Sequence, residues 1–290
     1  MALPPISIGN VYVQTFEANV RHLAQQGATR LRQFVTEVHT TGQNHNWERL
    51  GQGTAVLKGG PRTPTPTSNL PWSRRVSPTA TWHAGETSEH EDAVQMLVDP
   101  NSNIAKALGM AMKRAVDDII IAAATGAALD GAGVPNVFPA GQVIGNGAGV
   151  ITLDTVLNVA QIFQQNDIDP DEPKVIVIGP IQQRRLMQLM EVTSGEYQNA
   201  KALASGVLPN WMGFTWVVST RLLAPAPGEI SCLAFTKQAI GLQINKDIWA
   251  RIAEDPSLSF AWRIYTAMTM GAVRVEDEHI VHIHLRDAVV

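Results

Sequence analysis

The sequence predicts an α+β fold, and three features point to it. A long run rich in small residues, 104–129, carries apolar positions at helical spacing. Toward the C-terminus, AVRV (272–275) and IVHIHL (280–285) alternate with the period of two expected of strands. Between the N-terminal region and the long run, residues 40–87 are crowded with Gly, Pro and Thr and cannot be helical.

Residues 1–10 carry Pro4 and Pro5 and lack a basic segment followed by an apolar run, so no secretory leader is expected. Over 11–38, Val13, Phe16, Val20, Leu23, Leu31, Phe34 and Val35 recur at helical spacing, interrupted at Gln25-Gln26-Gly27. This reads as a partly helical arm with too little apolar surface to fold alone. In 40–87 the proline tract TPTPT (63–67) is flanked by 46–58 and 72–81. Proline removes a ladder donor and is kept to edges and turns. The expectation is a two-stranded ribbon with a Pro-rich tip, with arms of about 10–15 residues that project roughly 30–50 Å. Such a ribbon is marginal in water and needs support, most economically from a neighbouring subunit.

Asp99-Pro100-Asn101-Ser102 is a helix-start signal. The following run has Ile104, Leu108, Ala111, Ala115, Ile119 and Ala122 on one face. Unbroken, its roughly 26 residues make a spine about 40 Å long. A glycine-rich joint is expected at 131–149. A helix capped by Thr152 follows to about Asn166, with Leu153, Val156, Leu157, Ala160 and Phe163 as its apolar face. Val175–Ile178 reads as a strand buried on both faces, and Pro180 opens a helix over 182–190. Strands are expected at 214–219, 231–235 and 240–244, completing a compact α+β module. The C-terminal strands are expected to return along the spine.

The chain has 290 residues, 45% of them hydrophobic, which suffices for a sizeable core. Only 17% are charged, against a usual quarter or so, suggesting surface covered by partners. The net charge of −4 argues against gripping nucleic acid by phosphate neutralisation, which takes a basic excess. Apolar stretches such as 119–124 are far too short to cross a bilayer. The single cysteine, Cys232, lies in an apolar strand-like run, which excludes an intrachain disulfide and reads as a buried structural thiol.

Few side chains suggest chemistry. The loop GQVIGNGAGV (141–150) lacks the Lys-Ser/Thr ending of a phosphate loop and reads as a joint. His282 and His284 share one strand face and are weak candidates for metal ligands, with His279 nearby. The alternative is the polar face of an edge strand whose core residues are Ile280, Val281, Ile283 and Leu285. Asp117 and Asp118 are adjacent on a helix, about 100° apart, so no acid/base dyad is expected; one is expected to cap or to pair with an arginine such as Arg114. No catalytic residue and no cofactor is expected.

Three collinear blocks resemble the major capsid proteins of tailed double-stranded DNA phages, with the Hong Kong 97-like coat fold. They are WSRRVSPTATW with LVDPNSNIAKALGMAMKRAVDDIIIAAATGAAL, then VIVIGPIQQRRLMQLMEVTSGEYQNAKALASG with WMGFTWVVSTRL, then AFTKQAIGLQI with YTAMTMGAVRVEDEHIVHI. The resemblance implies an N-terminal arm (1–39), an extended loop (40–87), a peripheral domain with the spine (88–138), an axial domain (139–247) and peripheral return strands (248–290). It implies pentamers and hexamers closed into an icosahedral shell in the virion, assembled in the host cytoplasm. Expected partners are copies of itself, a separate scaffolding protein, a portal, a possible decoration protein and packaged double-stranded DNA bound without sequence specificity, with no membrane. Lys58, Trp72, Arg74, Arg75 and Trp82 become the candidates for intersubunit contact, and Lys58 invites comparison with relatives that crosslink a loop lysine. Two other readings are an encapsulin-like nanocompartment shell on the same fold and a metal-dependent hydrolase using the C-terminal histidines.

Overall fold

The computed structural model describes residues 25–67, 69–89, 100–188 and 210–288. The expected helical spacing before Gln25, Asp99 of the helix-start signal and residues 189–206 of the middle block lie outside these.

Helix α1 (Pro100–Thr125) is the spine. It begins at a proline, whose missing amide costs nothing in a first turn. Its end falls at Gly126, whose amide still reaches Ala122 O at 2.8 Å. The expected end at residue 129 is therefore too late, because 128–130 leave as strand β5 (Ala128–Asp130). Met112, Val116, Ile120, Ile121 and Ala124 are buried along one stripe. Each large aliphatic side chain so buried contributes roughly 1.5–3 kcal/mol.

That stripe rests on a sheet of four strands. In spatial order they are β1 (Thr36–His39), β11 (Ile240–Asp255), β12 (Ala261–Arg274) and β4 (Ala80–Ser88). Leu31 and Val35 join the same core with Leu242, Ile244, Met268 and Met270. The described part of the expected arm helix is thus a three-residue 3-10 turn (Arg32–Phe34) and a strand pairing in parallel with β11. Burial of Leu31 and Val35 outweighs helix propensity there. Strand β11 also runs eleven residues beyond the expected end at 244 and pairs with β12, not with the 174–236 module. Its register shifts at Lys246 mask the alternation.

The second sheet contains, in spatial order, β7 (Val143–Ile144), β13 (Ile280–Arg286), β10 (Glu229–Thr236), β8 (Lys174–Ile178) and β9 (Phe214–Val218). Helices α2 (Leu153–Gln165) and α3 (Pro180–Gln188) belong to the same part of the chain. Thr152 caps α2, as expected, and Thr155 reciprocates: each side chain accepts the other's amide. The buried face is Val156, Val159 and Phe163, whereas Leu157 points outward. Strand β13 does not return along the spine, against expectation; it lies between β7 and β10, with both faces buried. The glycine-rich joint is accordingly ordered: Val143 and Ile144 pair with His282 and Ile283, and Gly147 N reaches His284 O at 3.3 Å. Gly145 has φ 79°, and a Cβ there would stand 2.4 Å from His284 O, so only glycine fits.

The third sheet comprises β2 (Asn44–Leu50), β3 (Trp72–Pro78), β5 and β6 (Pro135–Asn136), in that order. After Pro78 the chain crosses to β4 in the first sheet. The expected arm 72–81 therefore splits, at a proline that cannot donate to a ladder. No helix among the described residues is long and apolar enough to cross a membrane.

Candidate assembly surface

The hairpin β2–β3 runs in unbroken antiparallel register from Asn44 opposite Pro78 to Leu50 opposite Trp72. Each strand has seven residues, shorter than the expected arms. Gly51 N adds one bond to Pro71 O at 2.8 Å. Beyond it, residues 52–70 form no strand where described. Opposed residues share a sheet face. Leu50 and Trp72 are such a pair, and they are 53% and 72% exposed. Val56 and Leu57, further out, are 67% and 94% exposed, and Lys58 is exposed beside them. Exposed apolar side chains are thus gathered along one limb of the hairpin.

At the hairpin root the charged side chains are internally engaged. Arg74 Nε donates to Glu48 Oε1 at 2.7 Å across the strands, and both remain half exposed. Arg75 differs from the expectation for it. It is only 6% exposed and donates to Asp277 Oδ2 at 2.7 Å, so its guanidinium is spent inside the subunit. The alternation of β3 turns it inward on the same face as Ser77, opposite to Arg74 and Val76. Trp82, on β4, is 44% exposed and rims an apolar hollow of about 310 Å³ lined by Ile119, Ala122, Ala123, Leu129 and Met270.

Sequence reasoning missed Arg49, Arg274, Glu276 and Asp277. Arg49 grips Glu276 in bidentate fashion at 3.1 and 2.8 Å. Arg274 is wholly buried, and it binds Asp277, Gly126 O and Asn136 O. An arginine in the apolar run GAVRV followed by EDE was the available signal, since a charge is almost never fully buried unless it is paired.

The histidines are placed differently from an edge-strand polar face. His282 is 5% exposed, its ring stacks on Phe138 with centroids 3.7 Å apart, and Nε2 donates to Ala124 O at 3.1 Å. Burial pushes its pKa down to about 4; the neighbouring charges of His284 and Arg274 push the same way, and the Ala124 bond opposes them. His279 Nδ1 lies 2.7 Å from Thr236 Oγ1. Among the described residues, no three His, Cys, Asp or Glu side chains are grouped to hold a metal ion. Cys232 is buried in β10, and burial pushes its thiol up to about 12. Asp118 pairs with Arg221, through Nε at 2.7 Å, and not with Arg114, which donates to Gln25 instead.

A family model described as phage capsid protein matches residues 8–286. The chain belongs to that family. The fold of this capsid protein is similar to that in the capsid of Ralstonia phage GP4, at TM-score 0.76 and 12% identity over 99% of each chain. It is likewise similar to the capsid of cyanophage P-SCSP1u, at TM-score 0.75 and 17% identity over 98% of this chain and 96% of that one. For Mycobacterium phage Che8 the values are 0.74 and 14%, over 96% and 98%. At such identities the likeness carries the fold, which is the Hong Kong 97-like coat fold expected from the three blocks. No curated protein matches the capsid protein significantly.

Proposed function

We propose that this chain is the major capsid protein of a tailed double-stranded DNA phage, self-assembling as pentamers and hexamers into an icosahedral shell. The observation that carries the reading, within the family, is the bare limb of the hairpin. Leu50, Trp72, Val56 and Leu57 are left in solvent by the subunit's own fold, and beyond the root, where β5 pairs with β3 at Arg75 and Val76, the two-stranded part gains stability by lying against a support. Copies of the same chain supply the support, and repetition over a closed shell turns weak contacts into a durable one.

In this reading, residues 1–39 are the arm, 40–87 the extended loop, and α1 with its sheet the peripheral part. The five-stranded sheet with α2 and α3 is the axial part, which meets its copies around the symmetry axes. Lys58, Trp72, Arg74 and Trp82 remain the contact candidates. The role is structural and not catalytic. The shell grows with a scaffolding protein and a portal in the host cytoplasm, and DNA is enclosed without sequence-specific contact. The charge of −4 suits enclosure without a phosphate grip.

Electron microscopy of the purified full chain, expressed alone and with its scaffolding protein, tests this. Closed shells with fivefold and sixfold units are expected. A chain that stays monomeric under both conditions overturns the reading.

A further inference from the structure

Both strands of the hairpin are fastened to one five-residue connection, 275–279, between β12 and β13. Arg49 on β2 holds Glu276 in bidentate fashion, with Glu278 Oε2 at 3.6 Å. Arg75 on β3 holds Asp277 through Oδ2. The other oxygen of that carboxylate, Oδ1, takes Nε of Arg274 on β12. Arg274 in turn binds Gly126 O at the end of the spine and Asn136 O in β6, and its guanidinium carbon sits 5.0 Å over the ring of Phe138.

The turn's main chain is held from the opposite side. Val275 N donates to Ala239 O at 2.8 Å, and Asn166 Nδ2, at the end of α2, donates to Glu278 O at 2.9 Å. In the orientation that satisfies its partners, the amide nitrogen of Gln142 donates to Asp277 O and Ile280 O. The hairpin, the spine and the five-stranded sheet therefore converge on one short segment.

We propose that Asp277, with Arg75, Arg49 and Arg274, is the positioning element that sets the angle of the hairpin and makes it follow the five-stranded sheet. The physical basis is that the joint is all-or-none. Arg75 and Arg274 are 6% and 0% exposed; without Asp277 the Arg75 guanidinium loses its carboxylate, and Arg274 keeps only carbonyl bonds, so each buried charge is left uncompensated and away from water. Small tilts of the hairpin are thus resisted, and the arrangement holds discrete positions. Two guanidiniums sharing one carboxylate make Asp277 the residue whose loss uncouples Arg75 on the hairpin from Arg274 on β12. The consequence for the shell rests on the proposed function: hairpin angle fixes how a subunit overlaps its neighbour, and so the curvature.

The experiment uses the unassembled full chain with Leu50→Cys at the outer end of β2 and Leu157→Cys on the outer face of α2. Both sites carry nitroxide labels, and pulsed electron paramagnetic resonance reads the distance between them. Cys232, wholly buried, does not compete for label. The parent gives one narrow distribution. Asp277→Asn and Arg75→Met broaden it at least twofold, Arg75→Lys recovers most of the narrowing, and Asp118→Ala, an ion-pair loss elsewhere, leaves it narrow. An Asp277→Asn distribution as narrow as the parent's, or equal broadening in Asp118→Ala, overturns the proposal. Should Asp277→Asn fail to fold, Arg49→Met, at a more open position, is expected to broaden the distribution in the same way, and a narrow one there overturns the proposal equally. In assembly, the broadened variants form shells of mixed size where the parent forms one. A parent that forms no shells defeats the shell reading and leaves the distance result standing.

Discussion

Asp117, wholly buried on the spine, accepts the backbone amide of Leu31 at 3.1 Å. The amide of Arg30 reaches the same carboxylate at 3.0 Å, and so does the side chain of Gln26. One side chain thereby ties the chain entering β1 to the middle of α1. Its neighbour Asp118 faces the other way, to Arg221, where the pair is more than a third exposed. Asp117→Ala strands buried amides and is expected to cost roughly 2–4 kcal/mol. Asp118→Ala is expected to cost less than about 1 kcal/mol, as solvent-screened pairs do. Urea unfolding of the two variants checks the contrast.

The buried imidazole of His282 makes stability depend on pH with a definite sign. Its pKa is about 4 in the fold, against an ordinary value near 6.5. The unfolded chain therefore takes up a proton first as pH falls, and stability declines between these two values and levels off below the lower one. The full loss is on the order of 3 kcal/mol. His282→Gln removes this contribution. The difference in unfolding free energy between parent and variant should shrink from pH 7 to pH 4; a constant difference would contradict the assignment.

Cys232 should not react in the native protein. Its thiol is buried and its thiolate is disfavoured, with the pKa at about 12. A disulfide-exchange reagent at pH 8 is expected to label nothing in native chain and one thiol per chain after denaturation.

Gly241 lies beneath Trp47, where a Cβ would stand 2.4 Å from the indole ring. That indole is fixed by its Nε1 bond to Ser77 Oγ at 3.2 Å and by the edge of His45. Gly241→Ala must therefore shift the hairpin off β11, and a loss of roughly 1–3 kcal/mol is expected. Calorimetry measures it.

Deletion of 59–70 should spare the subunit and harm the shell. Where described, these residues form no strand and carry no buried side chain, and loop length weighs little on stability. Unchanged unfolding temperature with a fall in particle yield or heat resistance is the expected pair of results.

Local physics made much of this protein readable. Thr152 announces a helix start, Pro180 a second, and Val175–Ile178 a strand buried on both faces. Small residues over 104–129 announce a spine, though not its true end, and Pro64 and Pro66 an interrupted ribbon. Each rests on propensity or hydrogen bonds within a few residues. The candidate surface was half legible: Trp72 and Trp82 stand out by size, but nothing local separates exposed Arg74 from buried Arg75.

From residues alone, then, came most of the helices and strands in their order, though not β1, read as helix, or β7, read as a joint; the resemblance to phage coats and the two-stranded ribbon came from them too. Which sheet receives each strand was decided only by the tertiary fold. Strand β13 alternates like an edge strand, yet it lies between β7 and β10; β11 belongs to the spine's sheet along its whole length, with register shifts on either side of Lys246. The pairing of Asp277 with Arg75 joins residues 202 positions apart. Charges that distant meet only after the hydrophobic cores have fixed the backbone, and no spacing rule along the chain encodes that meeting.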